Sequence, residues 1–268
     1  VRANPSPLKY SIHTCLREFH LRRILSDLDC RKTMLDVGCG LGYWIETFGK
    51  HFVTAIGMDC DMAGLKANRQ RGLSDMVQAS AFALPFADGT VDLIICSEVL
   101  EHLPEDMDRT ALECMARALR PGGRLIITTP SLEGLRSRSR LRNLGHTQPG
   151  TGEYHYRVGY TLQMYRDLLA HIPLLSLKSH RFSMFLFSEL FMDLQKLLFY
   201  RKRELREHSD IMTAGDSILF RAYRFFFPIL RAAFIFEDIV MCPLFKGHIH
   251  ILELERISDT KATPCLHS

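Results

Sequence analysis

Leu35-Asp36-Val37-Gly38-Cys39-Gly40-Leu41-Gly42-Tyr43-Trp44 decides the fold. An apolar run closes on an acid, and three glycines follow at alternate positions. That order reads as a buried strand, a tight turn and a helix start. Glycine permits positive φ and lets a ligand lie against bare backbone. The spacing is G-x-G-x-G. A dinucleotide fingerprint, G-x-G-x-x-G, needs glycine where Tyr43 stands, so a nicotinamide pyrophosphate is disfavoured from the outset.

Working outward, residues 33–37 form strand 1, with a helix over 41–50. Residues 54–58 form strand 2, which ends in Asp59, and Asp61 caps a helix over 62–70. Residues 75–78 are strand 3. Residues 91–96 are strand 4, continuous and apolar as a doubly covered parallel strand should be. A helix over 107–119 follows Pro104. Pro121-Gly122-Gly123 is a turn before strand 5 at 124–129. A capped helix at 161–171, strand 6 at 174–181 and an alternating last strand at 247–255 complete the pattern, and a leading helix lies within 8–28. Strands alternating with helices imply right-handed crossovers. The expected architecture is α/β: a doubly wound, mostly parallel seven-stranded Rossmann-like sheet with a helical insertion before the last strand. The organisation expected is a core over 1–182, including a lid loop at 131–160, an amphipathic insertion over 183–246, the last strand at 247–256 and a tail at 257–268.

The 268 residues are 47% hydrophobic and 24% charged, which suits one large domain with a sizeable core. A net charge of +4 is too mild to imply nucleic acid by itself. Eight cysteines without a C-x-x-C pair read as reduced thiols of a cytoplasmic protein. No uncharged apolar run approaches about 18 residues, so no membrane-spanning helix is expected.

Ligands of a doubly wound sheet bind beyond the carboxyl ends of its strands. Asp36 and Asp59 close strands 1 and 2 there, and an acid at the second strand can accept both ribose hydroxyl protons. Asp59 could instead act as a helix cap. The loop Ser80-Ala81-Phe82-Ala83-Leu84-Pro85-Phe86 follows strand 3 and would wall an adenine-sized ring. Four segments, "LDVGCGLG", "GMDCD", "ALPFADGTVDLIICSEVLEHL" and "LRPGGRLIITTP", stand in order over residues 33–130. This run resembles the class I S-adenosylmethionine-dependent methyltransferases, and among them the small-molecule group that includes ubiquinone and menaquinone biosynthesis enzymes. The resemblance implies S-adenosylmethionine as cofactor, with Asp36, Gly38, Gly40, Gly42, Asp59, Ala81, Phe82 and Ser97 around it. It sets the glycines beside the methionine part, Asp59 on the ribose, Ala81 and Phe82 beside the adenine, and Ser97 facing the cofactor from strand 4. Many relatives carry Asp where this chain has Ser80, so a hydrogen bond to the adenine amino group would be neutral and weaker.

Methyl transfer from a sulfonium asks the enzyme chiefly to align the nucleophile; a hydroxyl or acidic carbon must also lose its proton. If Glu98-Val99-Leu100-Glu101-His102 is helical, Glu98, Glu101 and His102 share one face. His102 or Glu101 could then act on the proton, or all three could hold a divalent cation, as an E-x-x-E-H motif does in ubiquinone O-methyltransferases and small-RNA 2′-O-methyltransferases. The third reading is an ordinary helix of the superfamily with no metal. Glu153-Tyr154-His155-Tyr156-Arg157 offers His155 as a second base beside two aromatic walls, or a lid that packs on itself. His13 and His20, on the leading helix, read as surface or core residues.

Residues 183–245 combine Phe- and Leu-rich faces with Arg181, Arg201, Lys202, Arg203, Arg221, Arg224 and Arg231 at or near them. They read as a helical cap on the core, a greasy tunnel, a dimer interface, or helices lying peripherally in a membrane. The partner expected is a small-molecule or lipid-like acceptor. Arg136, Arg138, Arg140 and Arg142 could receive an anionic headgroup, but no RNA-binding module accompanies them, so nucleic acid ranks low. The expected function is methylation of such an acceptor at oxygen or carbon. The alternatives are a non-catalytic cofactor-binding scaffold and, lower, an RNA methyltransferase.

Overall fold

The computed structural model describes residues 7–28, 31–104, 106–135, 156–199 and 218–258. Seven strands form one sheet in the order β3-β2-β1-β4-β5-β7-β6. They are β1 (Thr33–Val37), β2 (Thr54–Asp59), β3 (Met76–Gln78), β4 (Val91–Ser97), β5 (Leu119–Pro130), β6 (Leu175–Ser183) and β7 (Ile249–Arg256). Neighbours from β3 to β5 run parallel, whereas β7 is antiparallel to both β5 and β6. The helices are α1 (Ile12–Ser26), α2 (Tyr43–Phe48), α3 (Met62–Gln70), α4 (Met107–Ala118), α5 (Leu162–Ala170), α6 (Leu186–Phe199) and α7 (Ile218–Met241).

Alternation along the strands splits the core into two layers. Met34, Leu93, Ile95, Ile126, Ile249 and Ile251 face the layer filled from α1, α2, α3 and α7. Leu35, Val37, Ile94, Cys96, Leu125, Ile127, Leu252 and Leu254 face the layer beneath α4 and α5. With apolar side chains on both faces, β1 and β4 are continuous hydrophobic runs, as central parallel strands require.

Sequence and structure differ at three places that matter. The helix expected at 41–50 is one short α-helix, because Gly42 is left-handed at φ 71° and residues 49–51 tighten into a 3-10 turn. Pro121-Gly122-Gly123 is not a turn ahead of β5 but a bulge within it. Val91 pairs with Leu119 and Leu93 with Arg124, so the residues between loop out while the strand continues. A Cβ on Gly123 would meet the Arg120 carbonyl at 2.8 Å, which restricts that bulge to glycine. Finally, 98–102 is not an α-helix.

Helices α6 and α7 lie between β6 and β7 and act as a cap on one side only. Phe220, Tyr223, Phe227 and Phe234 are buried against α1 and α6. The Tyr223 hydroxyl donates to the Tyr10 carbonyl at 2.6 Å. Glu237 accepts from the Phe187 and Ser188 amides at 2.7 and 2.9 Å, satisfying the first turn of α6. Asp238, fully buried, accepts from the Met184 amide at 2.9 Å and from Ser183 Oγ, and pairs with His20 Nε2 at 2.8 Å. His20 is thus a core residue that ties α1 to α7. Among the described residues no helix is long and apolar enough to cross a membrane. The six described cysteines are free thiols.

Candidate active site

The crevice lies at the carboxyl ends of β1, β2 and β4. Gly38, Gly40 and Gly42 take φ of 70°, 47° and 71°, which curls the chain leaving β1 under its own amides. The Gly38 and Cys39 amides donate to the Met58 carbonyl at 2.8 and 2.9 Å. A Cβ on Gly38 would strike Val99 at 2.4 Å, and one on Gly42 would strike Leu73 at 2.6 Å. A Cβ on Gly40 would meet nothing within 4 Å, so the cradle is open at its centre.

Asp59 closes the cradle. One carboxylate oxygen accepts from the Gly40 amide at 2.8 Å and the other from the Asp61 amide at 2.9 Å. Each oxygen keeps a second lone pair for a ligand hydroxyl. The helix-cap role weighed for Asp59 falls to Asp61, which accepts from the Ala63 and Gly64 amides. Asn68, fully buried on α3, donates to the Gly40 carbonyl at 2.7 Å, and Arg71 donates to the Leu41 carbonyl at 2.7 Å. Neither was read as part of the site. The only signal is a polar residue, Asn68, on the inward face of α3 and a basic one, Arg71, at its C-cap.

Asp36 is buried beneath the glycines, and neither of its carboxylate oxygens has a hydrogen-bond partner. Burial, then the neighbouring Asp59 charge, pushes its carboxyl well above the usual carboxylate range. A cationic ligand group close by would lower it again and partner the orphaned oxygens beneath the open cradle. The residues present therefore fit a sulfonium-bearing nucleoside. Past β3, the Ala79 amide donates to the Asp59 carbonyl at 3.1 Å, and a short bridge joins Ser80 to Ala83. This presents Ala81, buried, and Phe82, partly exposed, beside the crevice.

The second half of the site is the exit of β4. Ser97 Oγ shares a hydrogen bond with Thr128 Oγ1 at 2.8 Å and accepts from Arg17 at 2.8 Å. Glu98 follows at φ 57°, a strained conformation for a side-chain-bearing residue. Its amide donates to the Thr128 carbonyl at 2.8 Å, and its carboxylate lies 3.7 Å from His13 Nε2 and 3.8 Å from Arg17. Leu100–His102 is a 3-10 turn. The shared helical face expected for Glu98, Glu101 and His102 does not form, because the left-handed Glu98 reverses the chain before any helix can start. Glu98 faces α1. Glu101 is fully buried, and neither carboxylate oxygen has a hydrogen-bond partner. Burial and then the Glu98 charge push the Glu101 carboxyl well above the usual carboxylate range, and at 0% exposure it lies out of an acceptor's reach. That argues against Glu101 as a base. Among the described residues no three His, Cys, Asp or Glu side chains gather as a metal site. His102 is half-buried on the turn.

His13 and Arg17, one turn apart on α1, reach this corner, although His13 reads from sequence as a surface or core residue and nothing in the sequence singles out Arg17. Tyr43 explains how. It stands where a dinucleotide motif needs glycine, and its buried hydroxyl donates to Glu18 on α1 at 2.6 Å. The tyrosine that disfavours a nicotinamide pyrophosphate thus fastens α1 across the glycine turn. The turn at 100–102 is backed by Tyr160, whose hydroxyl lies 3.2 Å from the Leu100 carbonyl and from Asp108. His155, Tyr154 and the arginines at 136–142 lie outside the described residues.

Residues 35–127, which carry the cradle, Asp59 and the exit of β4, match the model of a methyltransferase domain family. This segment is a class I S-adenosylmethionine-dependent methyltransferase domain. It is 38% identical over 100 residues to an uncharacterized methyltransferase of Mycobacterium marinum, covering 36% of this chain and 38% of that protein. It is 39% identical over 103 residues to one of Mycobacteroides abscessus, covering 36% and 39%. The chain thus spans less than two fifths of these relatives. In three dimensions the likeness extends beyond the methyltransferase domain segment. Haemonchus contortus phosphoethanolamine N-methyltransferase 2, in complex with S-adenosyl-L-methionine, superposes with a TM-score of 0.59 at 14% identity over 90% of this chain and 52% of that one. A putative sarcosine dimethylglycine methyltransferase from Galdieria sulphuraria gives 0.57 at 17% identity over 92% and 86%. At such identities these two share the fold.

Proposed function

We propose that this chain transfers the methyl group of S-adenosylmethionine to a small or lipid-like acceptor, at oxygen or carbon. One observation carries the reading: an open glycine cradle whose amide at Gly40 is fixed by Asp59, above an orphaned buried Asp36. When bound, the cofactor supplies an electrophilic methyl group. The chain's part is positioning and proton handling. Gly38, Gly40 and Gly42 present bare backbone to the methionine end, Asp59 receives the ribose hydroxyls, and Ala81 and Phe82 flank the adenine. Ser97 and Thr128, locked by their mutual hydrogen bond, form the wall at the end of β4.

The proton of an acceptor hydroxyl or acidic carbon goes to the corner where α1 meets β4. His13 and Glu98 are both partly exposed there, and a carboxylate orienting an imidazole favours the imidazolium that results. His102, on the adjoining turn, is the second candidate. Arg17 lies 3.8 Å from Glu98 and donates to Ser97 at 2.8 Å, tying the two together. The aromatic and aliphatic composition of 183–245 supports an apolar acceptor, quinols and phenols included.

Calorimetry with S-adenosylmethionine, followed by a methyl-release assay on lipid, quinol and phenol extracts, tests the reading. Binding with turnover that falls in His13→Ala is expected. Binding without turnover on any extract would identify a scaffold. Failure to bind the cofactor would refute the reading outright.

A further inference from the structure

Helix α7 is apolar on both sides. Opposite its buried stripe runs a second one, formed by Phe225, Phe226, Ile229, Phe236, Ile239 and Val240 at helical spacing. Phe225, Ile229 and Phe236 are 76%, 67% and 68% exposed, and Leu244 and Phe245 continue the surface beyond the helix end. The stripe presents on the order of 600 Å² of apolar area, at the upper end of what a solvated monomer shows. Its charges have one sign. The two acids of the helix, Glu237 and Asp238, are turned inward and occupied by the α6 amides, Ser183, Met184 and His20. Arg221 and Arg224 remain at the surface.

A second observation meets the stripe at Ile239. That residue also lines a cavity of about 330 Å³ between α1, β6 and the end of α7, together with Arg23, Arg181, His20, Asp238 and Cys242. Neither Arg23 nor Arg181 is in an ion pair among the described residues. His20 is only 3% exposed, and its Nδ1 has no hydrogen-bond partner, while its Nε2 faces Asp238. With Nε2 donating to Asp238, Nδ1 is an acceptor and leaves a phosphate to the two guanidiniums, whose N–H donors suit its oxygens.

We infer that this face docks on an anionic phospholipid surface, the α7 stripe lying in the interface and a lipid phosphate seated between Arg23 and Arg181. The cations flanking the stripe match anionic headgroups, whereas two copies pairing through α7 would set arginine against arginine. At 24 residues the helix is about 36 Å long, enough to lie along the interface. The inference rests on α1, β6 and α7 and does not depend on methyl transfer.

Flotation of the full chain with phosphatidylcholine vesicles, with and without phosphatidylglycerol, is the test. The chain floats with the anionic vesicles about thirtyfold more strongly than with neutral ones, as two cations near a charged surface require. The variant F225E/I229E/F236E, altered only at exposed positions, keeps its Tm and stops floating. R23E/R181E keeps its Tm and loses the preference for anionic vesicles while retaining weak flotation. Any of the following results overturns the inference. The first is absence of flotation with anionic vesicles. The second is equal flotation of both variants. The third is a concentration-dependent dimer that F225E/I229E/F236E dissociates, without vesicle binding. Inorganic phosphate that raises Tm while vesicles do not bind would assign the cavity to a soluble phosphate and likewise overturn the surface.

Discussion

Arg17 on α1 donates to Ser97 at the end of β4 across 2.8 Å, joining residues eighty positions apart. The same guanidinium lies 3.8 Å from Glu98 and over the Trp44 ring, so one side chain fixes the exit of β4, the strained turn and the helix after the glycine cradle. Arg17→Ala should lower methyl transfer about tenfold to a hundredfold and cost about 1.5–3 kcal/mol of stability, because Glu98 loses its countercharge and Ser97 a donor. Arg17→Lys restores the charge but not the fork, and should recover part of the stability in urea titration and less of the rate.

Asp59 holds the Gly40 amide and is the proposed ribose acceptor. Asp59→Ala should weaken S-adenosylmethionine binding tenfold to a hundredfold, about 1.5–3 kcal/mol for hydrogen bonds to a charged group. Calorimetry reads this directly. Unchanged affinity would move the ribose elsewhere.

Glu101 is a fully buried acid whose carboxylate oxygens have no hydrogen-bond partner. Its carboxyl is raised above the unfolded value, so the unfolded state releases its proton first. Stability therefore falls as pH rises from about 4 towards the folded pKa. Glu101→Gln keeps the neutral shape and removes that loss. Its Tm should match wild type near pH 4 and exceed it by roughly 2–4 °C at pH 8. If Glu101 were a working base, the variant would instead lose all activity on an acceptor needing deprotonation.

His180 shows the opposite sign. Burial, then His250 at 2.9 Å, lowers its pKa to about 4. It stays neutral in the fold while the unfolded imidazole gains a proton below about 6.5. Stability should fall as pH drops from about 6.5 to about 4, and His180→Gln, which keeps a polar partner for His250, should flatten that part of the urea midpoint profile.

Asp238 joins β6, α1 and α7 through Ser183, the Met184 amide and His20. Asp238→Ala should cost about 3–5 kcal/mol, since it strands three buried polar groups at once. Hydrogen exchange should show α7 opening ahead of the β1–β4 core.

Sequence alone determined the sheet and half of the crevice. Glycines at alternate positions after an apolar strand admit few backbone paths, and acids at strand ends fall at one edge because parallel strands share a direction. The glycine cradle, Asp59 and the loop after β3 are thus encoded locally, in 35–59 and 79–86. Tertiary structure decided the other half. The left-handed Glu98 turned a predicted helical face into a corner, sending Glu101 inside and Glu98 towards α1. Tyr43 then drew α1 over that corner, which is why His13 and Arg17, unremarkable by periodicity, reach the site. The same holds for α7. Its composition announced an amphipathic helix, but only packing revealed that its two acids face inward and that a second apolar stripe faces out. Periodicity reports which residues share a face; which face is covered depends on contacts between segments far apart in the chain, and no local pattern carries them.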